Sequence, residues 1–126
     1  MSIILIVEDN EKNMKLVRDI LRHKGHETIE AVNGEDGVRL AIERRPQLVL
    51  MDIQLPDIDG ITALQRIRAD RALDAVPVLA VSASVMPDEQ QKIVTSGFDA
   101  YVTKPINLKQ FLETVQRFLD QGRPPR

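Results

Sequence analysis

Leu48-Val49-Leu50-Met51-Asp52-Ile53-Gln54-Leu55-Pro56 decides the fold class. An unbroken apolar run that follows Pro46 and ends on a carboxylate reads as a strand buried on both faces, with a polar group delivered to its carboxyl end. Two other runs have the same character, Ile-Ile-Leu-Ile-Val at Ile3–Val7 and Val-Leu-Ala-Val at residues 78–81. Weaker candidates at residues 28–31 and 100–102 suit the edges of a sheet. Between the strands, helical periodicity recurs. Met14, Val17 and Leu21 form one stripe, Val38, Ala41 and Ile42 a second, and Ile61, Leu64 and Ile67 a third. Ile93 with Val94 marks a weaker fourth, and Leu108, Phe111, Leu112, Val115 and Leu119 the clearest. Alternating strands and helices predict a parallel sheet covered on both faces, in the doubly wound arrangement.

The punctuation agrees. Gly25, Gly34, Gly60 and Gly97 fall at junctions, Pro46 and Pro77 precede strands, and Pro87 suits a first helical turn. Residues 1–121 read as one domain and residues 122–126, Gly-Arg-Pro-Pro-Arg, as a mobile tail that cannot continue the last helix. A length of 126 residues leaves no room for a second domain of ordinary size.

Composition excludes several function classes. A net charge of −2 supplies no positive field for nucleic acid or an anionic membrane. The first apolar run stops at Glu8-Asp9, too short for a signal or spanning segment, so the expected location is the cytoplasm. The absence of cysteine removes disulfides and thiolate chemistry. His23 and His26 read as surface residues rather than a metal pair, and Met14 and Met86 as packing.

Ligands of doubly wound sheets bind beyond the carboxyl ends of the strands. The residues there are Glu8 and Asp9 after the first strand, Asp52 after the third, Ser82 after the fourth and Lys104 after the fifth. If the first and third strands are neighbours, three carboxylates converge, and each like-charged pair costs on the order of 4 kcal/mol at ~4 Å and an effective dielectric near 20. Mg2+, a hard cation that takes one or two carboxylates, a carbonyl and waters, answers that repulsion. With a hydroxyl and an ammonium beside it, such a site fits phosphoryl transfer to an aspartate. The nucleophile is Asp52 or Asp9. Asp52 is preferred because it ends a central apolar strand and is followed by a loop in which the Gln54 carbonyl can serve the metal.

Val7-Glu8-Asp9-Asn10, residues 50–56, Asp59-Gly60, Val81-Ser82-Ala83 and Lys104-Pro105 together resemble the receiver domain of bacterial response regulators, and the stand-alone DivK-type regulators most of all. The resemblance runs from about residue 3 to residue 119. It implies a flavodoxin-like five-stranded sheet in order 2-1-3-4-5 with five helices. It makes Asp52 the phosphoacceptor, Asp9, Asp52 and the Gln54 carbonyl ligands of Mg2+, and Glu8 a ligand through water. Lys104 would pair with phosphoryl oxygens, Ser82 and Tyr101 would form the switch, and Lys104-Pro105 would be a cis peptide. The implied donor is a phosphohistidine on a histidine kinase or a phosphotransfer protein, and the output is a protein partner at the fourth and fifth helices. The domain would not be an enzyme acting on outside substrates.

Three rivals keep parts of this reading. An aspartate-nucleophile phosphohydrolase uses the same chemistry but resembles Asp-x-Asp, where position 54 here is Gln. A flavodoxin-like cofactor carrier needs a hydroxyl- and glycine-rich loop after the first strand, where Glu8-Asp9-Asn10-Glu11 would repel phosphate. A pseudo-receiver scaffold keeps the fold and abandons the chemistry. The resemblance also implies that the side chains of Gln54 and Ser84 help set the lifetime of the phosphorylated state.

Overall fold

The computed structural model describes residues 2–83 and 86–123. Ser84 and the last three residues of the expected tail lie outside that set. The elements run β1 (Ile3–Val7), α1 (Glu11–His23), β2 (Glu27–Ala31), α2 (Gly34–Arg44), β3 (Leu48–Asp52), α3 (Gly60–Arg68), a 3-10 turn (Arg71–Leu73), β4 (Val78–Ser82), α4 (Pro87–Thr95), β5 (Ala100–Thr103) and α5 (Leu108–Gln121). The sheet is five-stranded and parallel, in order β2-β1-β3-β4-β5, which places the two weaker strands at its edges.

Strand alternation splits the core into two layers. Leu5, Val7, Val49, Met51, Val78 and Ala80 face the side covered by α2, α3 and α4. Ile4, Ile6, Leu48, Leu50, Leu79 and Val81 face α1 and α5. Every residue of β3 and β4 is buried, as their unbroken apolar runs require. Side-chain caps start most helices: Asn10, Asn33, Asp59 and Asn107 accept amide hydrogen bonds at α1, α2, α3 and α5, while α4 begins on Pro87.

Some stripe assignments shift. The inner face of α2 is Val38 and Ala41 with Gly34 and Gly37, and Ile42 is exposed. On α4 Ile93 is buried and Val94 exposed. In α5 the buried residues are Phe111, Val115 and Phe118, with Leu112 and Leu119 half-buried and Leu108, at the first position, exposed. Met14 packs in the core as expected, whereas Met86 lies on the surface. His23 is exposed, but His26 is half-buried. Arg123, which the sequence places in a mobile tail, donates to the Asp99 carboxylate at 2.9 Å and to the Asp74 carbonyl at 2.7 Å. No helix among the described residues is long and apolar enough to cross a membrane.

Candidate functional site

Register brings the strand ends together. Val7 pairs with Met51 and Ser82 with Thr103, so the residues just beyond these pairs gather along one edge of the sheet. They line a cleft of about 330 Å³ that contains Glu8, Asp9, Asp52, Gln54, Ser82 and Lys104. Every metal, phosphoacceptor and lysine position expected from sequence is therefore in one place. Glu8, Asp52 and Ser82 are buried, and Asp9 is exposed.

Lys104 is the hub. Its Nζ donates to Glu8 Oε1 and to Asp52 Oδ2, both at 2.9 Å. Its backbone N–H donates to the Ser82 carbonyl at 2.9 Å, which ties the loop after β5 to the end of β4. The Lys104–Pro105 peptide is cis. The second oxygen of Asp52 accepts the Gln54 N–H at 3.0 Å, and Glu8 Oε2 accepts the Asn10 N–H at 3.3 Å. Close behind Asp52, a Cβ on Gly60 would stand 2.6 Å from the Asp52 carbonyl oxygen, so α3 can begin here only on glycine.

One ammonium does not balance this site. Burial, then the hydrogen bond and charge of Asp52, pushes the Glu8 carboxyl up to about 7, against the opposing pull of Lys104. Burial alone would lower Lys104, but its hydrogen bonds to Glu8 and Asp52, with their charges, outweigh that effect and hold it above its ordinary value. Carboxylate oxygens of Glu8, Asp9 and Asp52 lie within 4.8 Å of one another. An all-oxygen, net-negative donor set of this size fits a hard divalent cation.

Glu8, expected to act on a metal through water, pairs directly with Lys104 in this structure. Asn10 and Asn13 also line the cleft and were not anticipated as site residues. Their signal was available: Asn10 caps α1 by accepting the Asn13 N–H at 3.0 Å, an Asn-x-x-Asn spacing at a helix start. Tyr101 sits apart from the cleft, half-buried on edge strand β5 beside a hollow of about 230 Å³ that Thr103, Gln110 and Thr114 also line.

Comparison with known proteins agrees with this geometry. The family described as "Response regulator receiver domain" matches residues 4–116. The polar-differentiation response regulator DivK of Brucella anthropi is 44% identical over 92% of this chain and 94% of its own length, and that of Brucella ovis is 42% identical over the same shares. Among solved structures, the receiver domain of a sensor histidine kinase from Pseudomonas aeruginosa PAO1, with a magnesium ion coordinated in its active-site cleft, superposes with a TM-score of 0.89. It is 30% identical and covers 95% of this chain and 98% of that one. A CheY-like receiver domain protein from Methanospirillum hungatei JF-1 is 27% identical at a TM-score of 0.86, covering 96% and 95%. On sequence, on sheet order and on the acidic cleft at the carboxyl edge of that sheet, the chain belongs to the response regulator receiver domain family, and within it resembles the DivK-type single-domain regulators.

Proposed function

We propose that this chain is a single-domain phosphoacceptor switch that takes a phosphoryl group onto Asp52 from a phosphohistidine on a histidine kinase or phosphotransfer protein. The observation that carries the reading is the position of the Asp52 carboxylate. It is buried at the floor of a cleft and held on one oxygen by Lys104 and on the other by the Gln54 amide. In the transfer, the N–P bond of the donor breaks as an O–P bond to Asp52 forms, and the imidazole leaves with the electron pair of the broken bond.

Asp9, Asp52 and Gln54 would hold Mg2+, with Glu8 in support, and the cation would neutralise charge on the phosphoryl oxygens. Lys104, already within hydrogen-bonding distance of Asp52, is placed to follow those oxygens. Ser82 lines the same cleft and is placed to donate its hydroxyl to the phosphoryl group. Drawing Ser82 toward the cleft would let Tyr101 turn, which changes the surface of α4, β5 and α5 where a protein partner reads the state. The domain catalyses only its own phosphorylation and dephosphorylation, and it works in the cytoplasm.

The test is labelling by a phosphohistidine donor with and without Mg2+. Wild type should acquire a Mg2+-dependent acyl phosphate, and Asp52→Asn, with an unchanged circular dichroism spectrum, should acquire none. Label retained on the variant would move the acceptor elsewhere.

A further inference from the structure

The loop that follows Asp52 is fastened to a neighbouring helix by a carboxylate outside the cleft. Asp57 accepts the Gly34 N–H on Oδ1 at 2.7 Å and the Glu35 N–H on Oδ2 at 2.8 Å. These are the first two amides of α2, and the next, that of Asp36, is taken by Asn33 Oδ1 at 2.7 Å. A helix start has unsatisfied donors and a partial positive charge, so a carboxylate that bridges two of its amides is held firmly. The contact is also steric: a Cβ on Gly34 would lie 2.5 Å from Ile58 Cγ1, so only glycine lets the loop come this close.

The rest of the loop is pinned at its two ends. Near Asp52, the Gln54 N–H donates to Asp52 Oδ1. At the far end, the Gly60 N–H donates to the Ile53 carbonyl at 2.9 Å. The Ile53 N–H also donates to the Val81 carbonyl in β4 at 3.2 Å, so the loop's start is tied to the sheet. The middle pin reaches α2, which is itself fixed to the sheet, since Val38 and Ala41 share a core layer with Val7. We propose that Asp57 is a positioning residue for the cation site: by tying the loop to α2 it holds Gln54 in register with Asp52 and Asp9 before the cation arrives. The inference rests on the reading of the cleft as a divalent-cation site. A loop cut free of α2 must be ordered when the cation binds, and that cost appears as weaker affinity.

The experiment is a Mg2+ titration of the full chain, followed by the amide resonances of Asp9, Asp52 and Gln54 well below the melting temperature. Asp57→Ala should weaken the midpoint roughly fivefold, the equivalent of one net hydrogen bond of about 1 kcal/mol. Glu35→Pro removes one of the tether's two hydrogen bonds from the helix side, because proline lacks the N–H yet fits a first helical turn; the Gly34 bond remains, so the midpoint should weaken in the same direction but less. Asp57→Asn, which keeps one amide acceptor oxygen, should recover part of the loss. A wild-type midpoint in folded Asp57→Ala, accompanied only by a lower melting temperature, would reduce Asp57 to a helix cap and overturn the proposal. Asp52→Asn separates the two readings. If it abolishes the response while the Asp57 and Glu35 variants leave it intact, only the tether falls. If it too leaves the midpoint unchanged, the cation site falls, and the tether with it.

Discussion

The two edges of the sheet bury carboxylates in opposite ways. At the carboxyl edge, Glu8 and Asp52, 4% and 5% exposed, share the single ammonium of Lys104, with Asp9 close by. At the amino edge, the Asp99 carboxylate, 6% exposed, meets two guanidiniums, Arg68 at 3.1 Å and Arg123 at 2.9 Å, and also accepts the Val78 N–H at 2.9 Å. Arg68 and Arg123 go on to the carbonyls of Leu73 and Asp74. At the amino edge the carboxylate is more than compensated within the chain, and its contacts link the start of β4 and β5 to the residue just beyond α5. The carboxyl edge has more negative charge than its own lysine can neutralise. That deficit is what the proposed cation would answer, while the contacts of the other edge serve stability.

The contrast can be broken most severely at the amino edge. Asp99→Asn leaves two guanidiniums facing each other in a largely buried site, and removing one partner of such a group costs roughly 3–5 kcal/mol. Urea unfolding should report a loss near 3 kcal/mol, with Asp52 labelling retained in the folded fraction. The opposite sign is expected at the other edge. In chelator, Asp52→Asn relieves the repulsion that adds to burial in raising Glu8, so it should gain up to about 1 kcal/mol by the same assay. A loss comparable to that of Asp99→Asn would mean the carboxyl edge is as well balanced as the amino edge.

Ser82→Ala changes the carboxyl edge without removing a charge from either cluster. It should still be phosphorylated, and its stability should change little. With the acyl-phosphate mimic beryllofluoride, wild type should shift amide resonances around Tyr101 and along α4, and the variant mainly those around Asp52. Equal distal shifts in both proteins would remove the hydroxyl as relay.

The smallest effect belongs to His26, which leads into β2 at the amino edge. Its Nδ1 is buried and has no hydrogen-bond partner among the described residues. Burial lowers its pKa below the usual 6.5. The unfolded chain therefore binds the proton more readily, so this contribution to stability is complete above about 6.5 and is lost as pH falls through the folded value. His26→Gln should remove that part of the acid dependence of the melting temperature, and an unchanged slope would show that the ring is free to protonate in the fold.

Most of the fold was legible because strands buried on both faces must be apolar throughout, as Ile3–Val7 and Leu48–Asp52 are up to their ends. The site was legible for a related reason: each of its residues closes a strand, as Asp52 and Ser82 do, or comes just after one, so sheet order alone assembles Glu8, Asp9, Asp52, Ser82 and Lys104. The Arg68–Asp99–Arg123 cluster left no such trace, because its members are 31 and 24 residues apart and belong to no shared period. The 3-10 turn at Arg71–Leu73 is too short to show periodicity, and only Leu73 within it is buried. Periodicity alone does not mark where an apolar stripe meets solvent, so Ile42, Val94 and Leu108 share the period of the core-facing residues yet are exposed. The direct pairing of Glu8 with Lys104 depends on side-chain reach across the cleft, which strand order does not specify.

Thermal unfolding of wild type, Asp52→Asn and Asp99→Asn in chelator and in Mg2+ tests whether the carboxyl edge is short of one cation. A ligand that binds only the folded state raises its stability by mass action. Wild type and Asp99→Asn should each show the same Mg2+-dependent rise in melting temperature, and Asp52→Asn should show little or none. A wild type indifferent to Mg2+, or an Asp52→Asn variant stabilised as much as wild type, would contradict the account.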